Sequence, residues 1–256
     1  MKPAESAKEL EERLIEISGW PVLVEPSNEI PGYATLRMAS EATPVHYFRY
    51  KPEFSSDLPY LQAFQYTLAL RTLEADPENR FDVMSTQALA TELPRMVGTH
   101  LREHYLKFHG SMIPPLCSQF ANGLGVQVRT LPVTIRVERT ILEQYPSLGA
   151  LQRKNNERHL QESMAALGAD IRAIAPPKVF HANVSMSAAF AKFLGREWNE
   201  PHLATAFVSA GYEKIADELL AIADTIDSSP NGDRLLVEAW AEKVGISNWY
   251  VTVPKS

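Results

Sequence analysis

Three short runs of strand-forming residues, fenced by prolines, crowd between Pro21 and Pro52, and almost everything after Phe81 carries helical spacing. Val22-Leu23-Val24 is closed by Pro26, Tyr33 to Met38 alternates loosely after Pro31-Gly32, and Val45 to Tyr50 is rich in aromatic and β-branched residues between Pro44 and Pro52. Runs this short make a small sheet, which needs helices to cover one face. Leu10, Leu14 and Ile17 form a helical stripe ahead of the strands, with Gly19 as the expected stop. Behind them Ser56 or Asp57 can cap a helix with Pro59 in its first turn, running to about Glu74 and ending before Pro77. That helix is apolar almost all round (Leu61, Phe64, Tyr66, Leu68, Leu70, Leu73), which predicts a central position with Phe64 and Leu68 in the core.

The remainder reads as helices near 84–92, 95–109, 114–124, 134–145 and 148–168, a break at Pro176-Pro177, then helices near 184–198, 202–209, 212–227 and 232–244. Gly123-Leu124-Gly125 lacks a preceding strand and a third glycine, so it is a helix end rather than a nucleotide loop. Trp249 to Val253 is a final short strand or extended tail. The expected fold is α+β and helix-dominated, with a small N-terminal sheet of about three strands in residues 1–76 and a helical bundle over 77–256, the two packed as one globular body.

The chain has 256 residues, 45% hydrophobic and 22% charged, a globular balance, and its net charge of −6 opposes the positive field that nucleic acids or anionic membranes require. The best basic clusters are Arg129, Arg136 and Arg139, then Arg153, Lys154 and Arg158. Glu138, Glu143 and Glu157 interrupt them, so a solvated, salt-bridged helix face is expected. Cys117 is the single cysteine, so no intrachain disulfide can form, and its apolar surroundings predict an inert thiol. Met1-Lys2-Pro3-Ala4-Glu5-Ser6 leads straight into an amphipathic pattern, so the expected location is cytoplasmic, with no membrane partner.

His100-Leu101-Arg102-Glu103-His104 gathers metal-ligand chemistry. Residues three and four apart on a helix share a face, so two imidazoles and a carboxylate can converge. In the H-x-x-E-H order, His100 and His104 would bind zinc, Glu103 would activate water, and Glu138 or Glu143 could supply the third ligand that zinc needs. Val97, His100, Leu101, His104, Tyr105 and Phe108 also fall on the face that should be buried. The competing reading is therefore a pair of core histidines hydrogen-bonded to a carbonyl or carboxylate. The stretch from His100 to Gly110 resembles the motif region of pitrilysin and insulin-degrading metallopeptidases, whose motif is flanked by strands.

A longer resemblance covers residues 4 to 76. The order Gly19-Trp20-Pro21-Val22, then Val45-His46-Tyr47-Phe48-Arg49-Tyr50, then Tyr60 to Arg71 is similar to compact zincins of the ImmA/IrrE type. These proteins set H-E-x-x-H in the last helix. The resemblance puts Phe64 and Leu68 where zinc ligands belong and Gln65 where the general base belongs. Phe and Leu have no lone pair, and Gln cannot take a proton near neutral pH. The Arg136-Val137-Glu138-Arg139 segment would match the one that carries the third ligand, with Glu138 an orphan. The resemblance thus implies a bacterial-type intracellular protein that has lost catalysis, needs no cofactor, and works as a scaffold or regulatory module on another protein or on itself. The alternatives are a zinc peptidase built on His100, Glu103 and His104, and a helical regulator binding a small ligand or nucleic acid.

Overall fold

The structure is a computed structural model describing residues 2–105 and 109–255. The expected extension of a helix to 109, with Phe108 on its stripe, lies partly outside the described residues. In chain order the elements are α1 (Pro3–Ser18), β1 (Val22–Pro26), β2 (Ala34–Arg37), β3 (His46–Tyr50), α2 (Leu58–Glu74), β4 (Phe81–Ser85), α3 (Gln87–His104) and α4 (Ile113–Gln144). There follow α5 (Gly149–Ala165), α6 (Ala169–Ile174), α7 (Pro177–Glu197), α8 (Thr205–Ser209), α9 (Glu213–Thr225), α10 (Asp233–Lys243) and β5 (Tyr250–Pro254). The protein is α+β and helix-dominated, with a three-stranded sheet and a separate two-stranded one. Among the described residues no helix is long and apolar enough to cross a membrane.

The chain divides into two compact units. One joins the residues up to Asp76 to Arg136–Arg158, and the other holds Pro77–Ile135 and the chain from His159 onward. The break after Asp76 sits where Pro77 stops α2. The addition of Arg136–Arg158 to the first unit departs from the expected 1–76, because α4 and α5 each change unit along their length without a break in helical pattern.

In the first unit β1 pairs parallel with the central β3, and β2 pairs antiparallel with its other side. Val22, Val24, Leu36 and Phe48 share a sheet face with His46, opposite to Leu23, Tyr47 and Arg49, because side chains alternate along a strand. α1 packs on α2 through Ala7, Leu10 and Leu14, and Gly19 ends it at φ +74°, a conformation glycine adopts without strain. Ile17, expected on the buried stripe, is exposed, since α1 stops one residue later and its last turn faces outward.

His46 is 1% exposed. Its Nδ1 accepts from the Ala39 amide at 3.0 Å and its Nε2 lies 2.9 Å from Ser18 Oγ, an arrangement that the neutral ring satisfies with its proton on Nε2. Burial pushes this imidazole below its ordinary 6.5. Below 6.5 the unfolded chain therefore takes up a proton that the folded chain refuses, and stability falls as pH drops from 6.5 through the lowered value. Denaturant unfolding at a series of pH values is expected to show this acid-side loss, and His46→Gln is expected to reduce its slope.

The second unit is built around α7, which is buried almost all round from Val184 to Gly195 and packs against α9. Leu89, Leu93, Val97 and Leu101 of α3 join its core, with Trp240 and Trp249. β4 pairs antiparallel with β5, so Phe81–Ser85 is a strand where helix was expected. α3 continues through Pro94, and α4 through Gly123, Gly125 and Pro132, instead of breaking at these residues. Packing overrides the lost hydrogen bonds. At Gly125 a Cβ would stand 3.1 Å from the Tyr250 ring, so this glycine marks a close approach of strand to helix rather than a helix end.

Candidate functional site

In the first unit, α2 and the end of α4 enclose a polar cluster. Glu138 is 2% exposed. Tyr60 Oη donates to its Oε1 at 2.5 Å, and Gln152 Nε2 donates to its Oε2 at 2.7 Å and to its backbone carbonyl at 2.8 Å. Asn156, also buried, lies beside both acidic groups. Burial pushes the Glu138 carboxyl above its ordinary range, against the pull of the Tyr60, Gln152 and Asn156 dipoles. Burial and the neighbouring Glu138 charge push the Tyr60 phenol well above its ordinary range, so it remains a donor. The sequence leads to this burial: positions 131–138 are buried without interruption, and Arg136 and Glu138 go in with the apolar run Leu131 to Val137.

Beside the start of α2, Asp57 is 1% exposed. It occupies the helix-capping position as expected, but its carboxylate makes no cap and turns to α5 instead. Lys154 Nζ lies 2.6 Å from one oxygen and Arg158 Nη2 2.8 Å from the other, while the Arg158 guanidinium stacks on the Phe54 and Tyr33 rings at 4.5 and 5.1 Å. Burial alone would raise the Asp57 carboxyl, but Arg158 and Lys154 outweigh it and hold it below the ordinary value. The expected solvated face of α5 is thus only half right. Arg153 and Glu157 pair at the surface, whereas Lys154 and Arg158 anchor a buried acid.

The positions singled out on α2 carry no metal donor. Phe64 and Leu68 are half-buried rather than deep in the core, since the fully buried face of α2 is formed by Tyr60, Ala63, Tyr66, Thr67 and Leu70. Gln65 Nε2 donates to the Ala34 carbonyl at 3.3 Å, tying the helix to the edge of β2.

The H-x-x-E-H segment closes α3 in the second unit. His100 and His104 do lie together on one face, with ring centroids 4.6 Å apart and the rings tilted by 49°. Their surroundings differ. His100 is 9% exposed, and its Nε2 faces the Arg172 carbonyl at 3.1 Å, which docks α3 onto α6. His104, expected to be buried, is exposed because α3 ends there, and Glu103 is exposed too, 3.8 Å from it. These residues line an open groove of about 420 Å³ with Glu92, Arg95 and Pro177. Glu138, named as third ligand, belongs to the first unit and gives both oxygens to Tyr60 and Gln152. Glu143, its alternative, is also in the first unit, on the same helix. Among the described residues no three His, Cys, Asp or Glu side chains are grouped to hold a metal ion. Cys117 is half-buried, and burial raises its thiol above the ordinary value, which disfavours thiolate.

No family model, curated protein or solved structure matches this chain. The roles of Tyr60, Gln152 and Asn156, and the ion pairs of Asp57, escaped the sequence reading. Gln152 and Asn156, spaced four apart on a charged helix, were the available signal, since neutral amides on one face of such a helix mark a polar contact.

Proposed function

We propose that this chain is a zincin-like protein without catalytic function, working as a scaffold or interaction module on another protein or on a second copy of itself. One observation carries the reading. The carboxylate that the ImmA/IrrE resemblance assigns to a third zinc ligand meets α2 one turn before Phe64, and there a tyrosine hydroxyl takes its Oε1. Gln152 takes the other oxygen, so the carboxylate serves to join α2, α4 and α5. Phe64 and Leu68 offer no lone pair, and Gln65 is spent on a strand carbonyl. A buried acid satisfied by protein donors stabilises packing and leaves no coordination position for water activation. The test is hydrolysis of an unstructured protein such as casein by the purified full chain, with added zinc and with a chelator. No chelator-sensitive cleavage is expected; cleavage that zinc supports and the chelator stops would refute the reading.

A further inference from the structure

The ladder of the three-stranded sheet fixes which backbone groups point outward. The His46 amide donates to the Pro21 carbonyl and the Ser27 amide to the Tyr50 carbonyl, so in the parallel pairing residues 21, 23, 25 and 27 of this strand face β3. The N–H and C=O groups of Val22 and Val24 therefore point away from the sheet. The opposite edge is different, because the outward carbonyl of Ala34 on β2 is capped by Gln65. Leu23, between the two outward-facing residues, is 45% exposed, and Ile15 and Ile17, at the end of the preceding helix, are exposed as well.

We propose that β1 is a self-association edge, on which a second copy of this chain pairs antiparallel about a two-fold axis through Leu23. Val22 of each copy then faces Val24 of the other as a hydrogen-bonded pair, exchanging both N–H···O bonds, and the two Leu23 side chains meet in the close, non-hydrogen-bonded position. The strand is self-complementary in charge: Glu25, its one charged residue, falls opposite Pro21 of the second copy and keeps its ion pair with Arg49. Pro26 has no N–H to extend the ladder, and the two-fold pairing uses up the β1 edge of both copies, so association through this edge closes at a dimer. A strand this short buries less than the roughly 1,000 Å² of a stable interface, so the dimer is expected to be weak and reversible. This names a partner for the interaction module proposed above; it is tested on self-association alone, whereas loss of catalysis is tested on hydrolysis.

Sedimentation equilibrium of the full chain, from about micromolar to near-millimolar concentration, reads the association directly. Wild type is expected to shift from monomer to dimer, with slower exchange of the Val22 and Val24 amides as concentration rises. Leu23→Lys and Leu23→Glu, at an exposed position, are each expected to weaken dimerisation by more than about tenfold by placing like charges opposite each other. An equimolar mixture of the two variants is expected to recover it as a heterodimer. Circular dichroism of each variant checks that folding is intact. A wild type monomeric throughout overturns the proposal, as does association that neither variant weakens or a mixture that associates no better than its components.

Discussion

Glu138→Ala is expected to destabilise the first unit by about 2–4 kcal/mol, measured by denaturant unfolding. The substitution leaves the buried Tyr60 hydroxyl without its acceptor and opens a small void between α2 and α5, while Gln152 keeps its bond to the backbone carbonyl of residue 138. A double variant, Tyr60→Phe with Glu138→Met, removes the hydroxyl donor together with its acceptor and fills the void, while Gln152 keeps its bond to the backbone carbonyl. It is expected to cost clearly less than the two single changes added together, because the pair acts as one unit. Acidity separates the carboxylate from a neutral amide. The folded value of Glu138 is raised above its ordinary 4.5, so between 4.5 and that raised value the folded chain holds a proton that the unfolded chain has released. Its contribution to stability therefore declines as pH rises through this window, and Glu138→Gln is expected to remove that decline.

Trp249→Ala is expected to cost the second unit about 3–5 kcal/mol, the range for truncating a fully buried aromatic side chain. Trp249 is entirely buried, and its Nε1 donates to Glu92 at 2.7 Å while Lys178 Nζ sits 4.0 Å over its ring. Its carbonyl also accepts from the Thr86 amide, so the residue fastens the start of β5 to the end of β4. Amide exchange across Phe81–Ser85 is expected to quicken in this variant more than exchange in α7. Trp249→Phe is expected to keep most of the packing and lose only the bond to Glu92, about 1 kcal/mol.

The first three strands could be read from the sequence because prolines bound them and their β-branched and aromatic residues have no helical spacing. β4 could not. Phe81-Asp82-Val83-Met84-Ser85 has only two strand formers, Phe81 and Val83, separated by Asp82, and its pairing with distant β5 decides its form. Gly123, Gly125 and Pro132 carry local helix-breaking signals, yet α4 runs through all three, and at Gly125 the Tyr250 ring occupies the space that a side chain would need. At the candidate site, the pattern identified α2 as apolar, and Glu138 was singled out only as a possible zinc ligand. It missed Tyr60 as the contact between them, because periodicity tells which face is covered and not which side chain covers it. Glu138 sits among Arg136 and Arg139, which suggests surface pairing, and the uninterrupted buried run from Leu131 is what carries it inside. The same reasoning accounts for His104: spacing put it beside His100, but the end of α3 left it in solvent.

The most direct test of the central claim, that Glu138 and α2 form a protein-satisfied contact in place of a zinc site, is elemental analysis of the full chain purified without added metal, followed by zinc titration in a calorimeter. The account predicts no stoichiometric zinc and no saturable heat that Glu138→Gln abolishes. One tightly held zinc per chain, lost on Glu138→Gln, would contradict it.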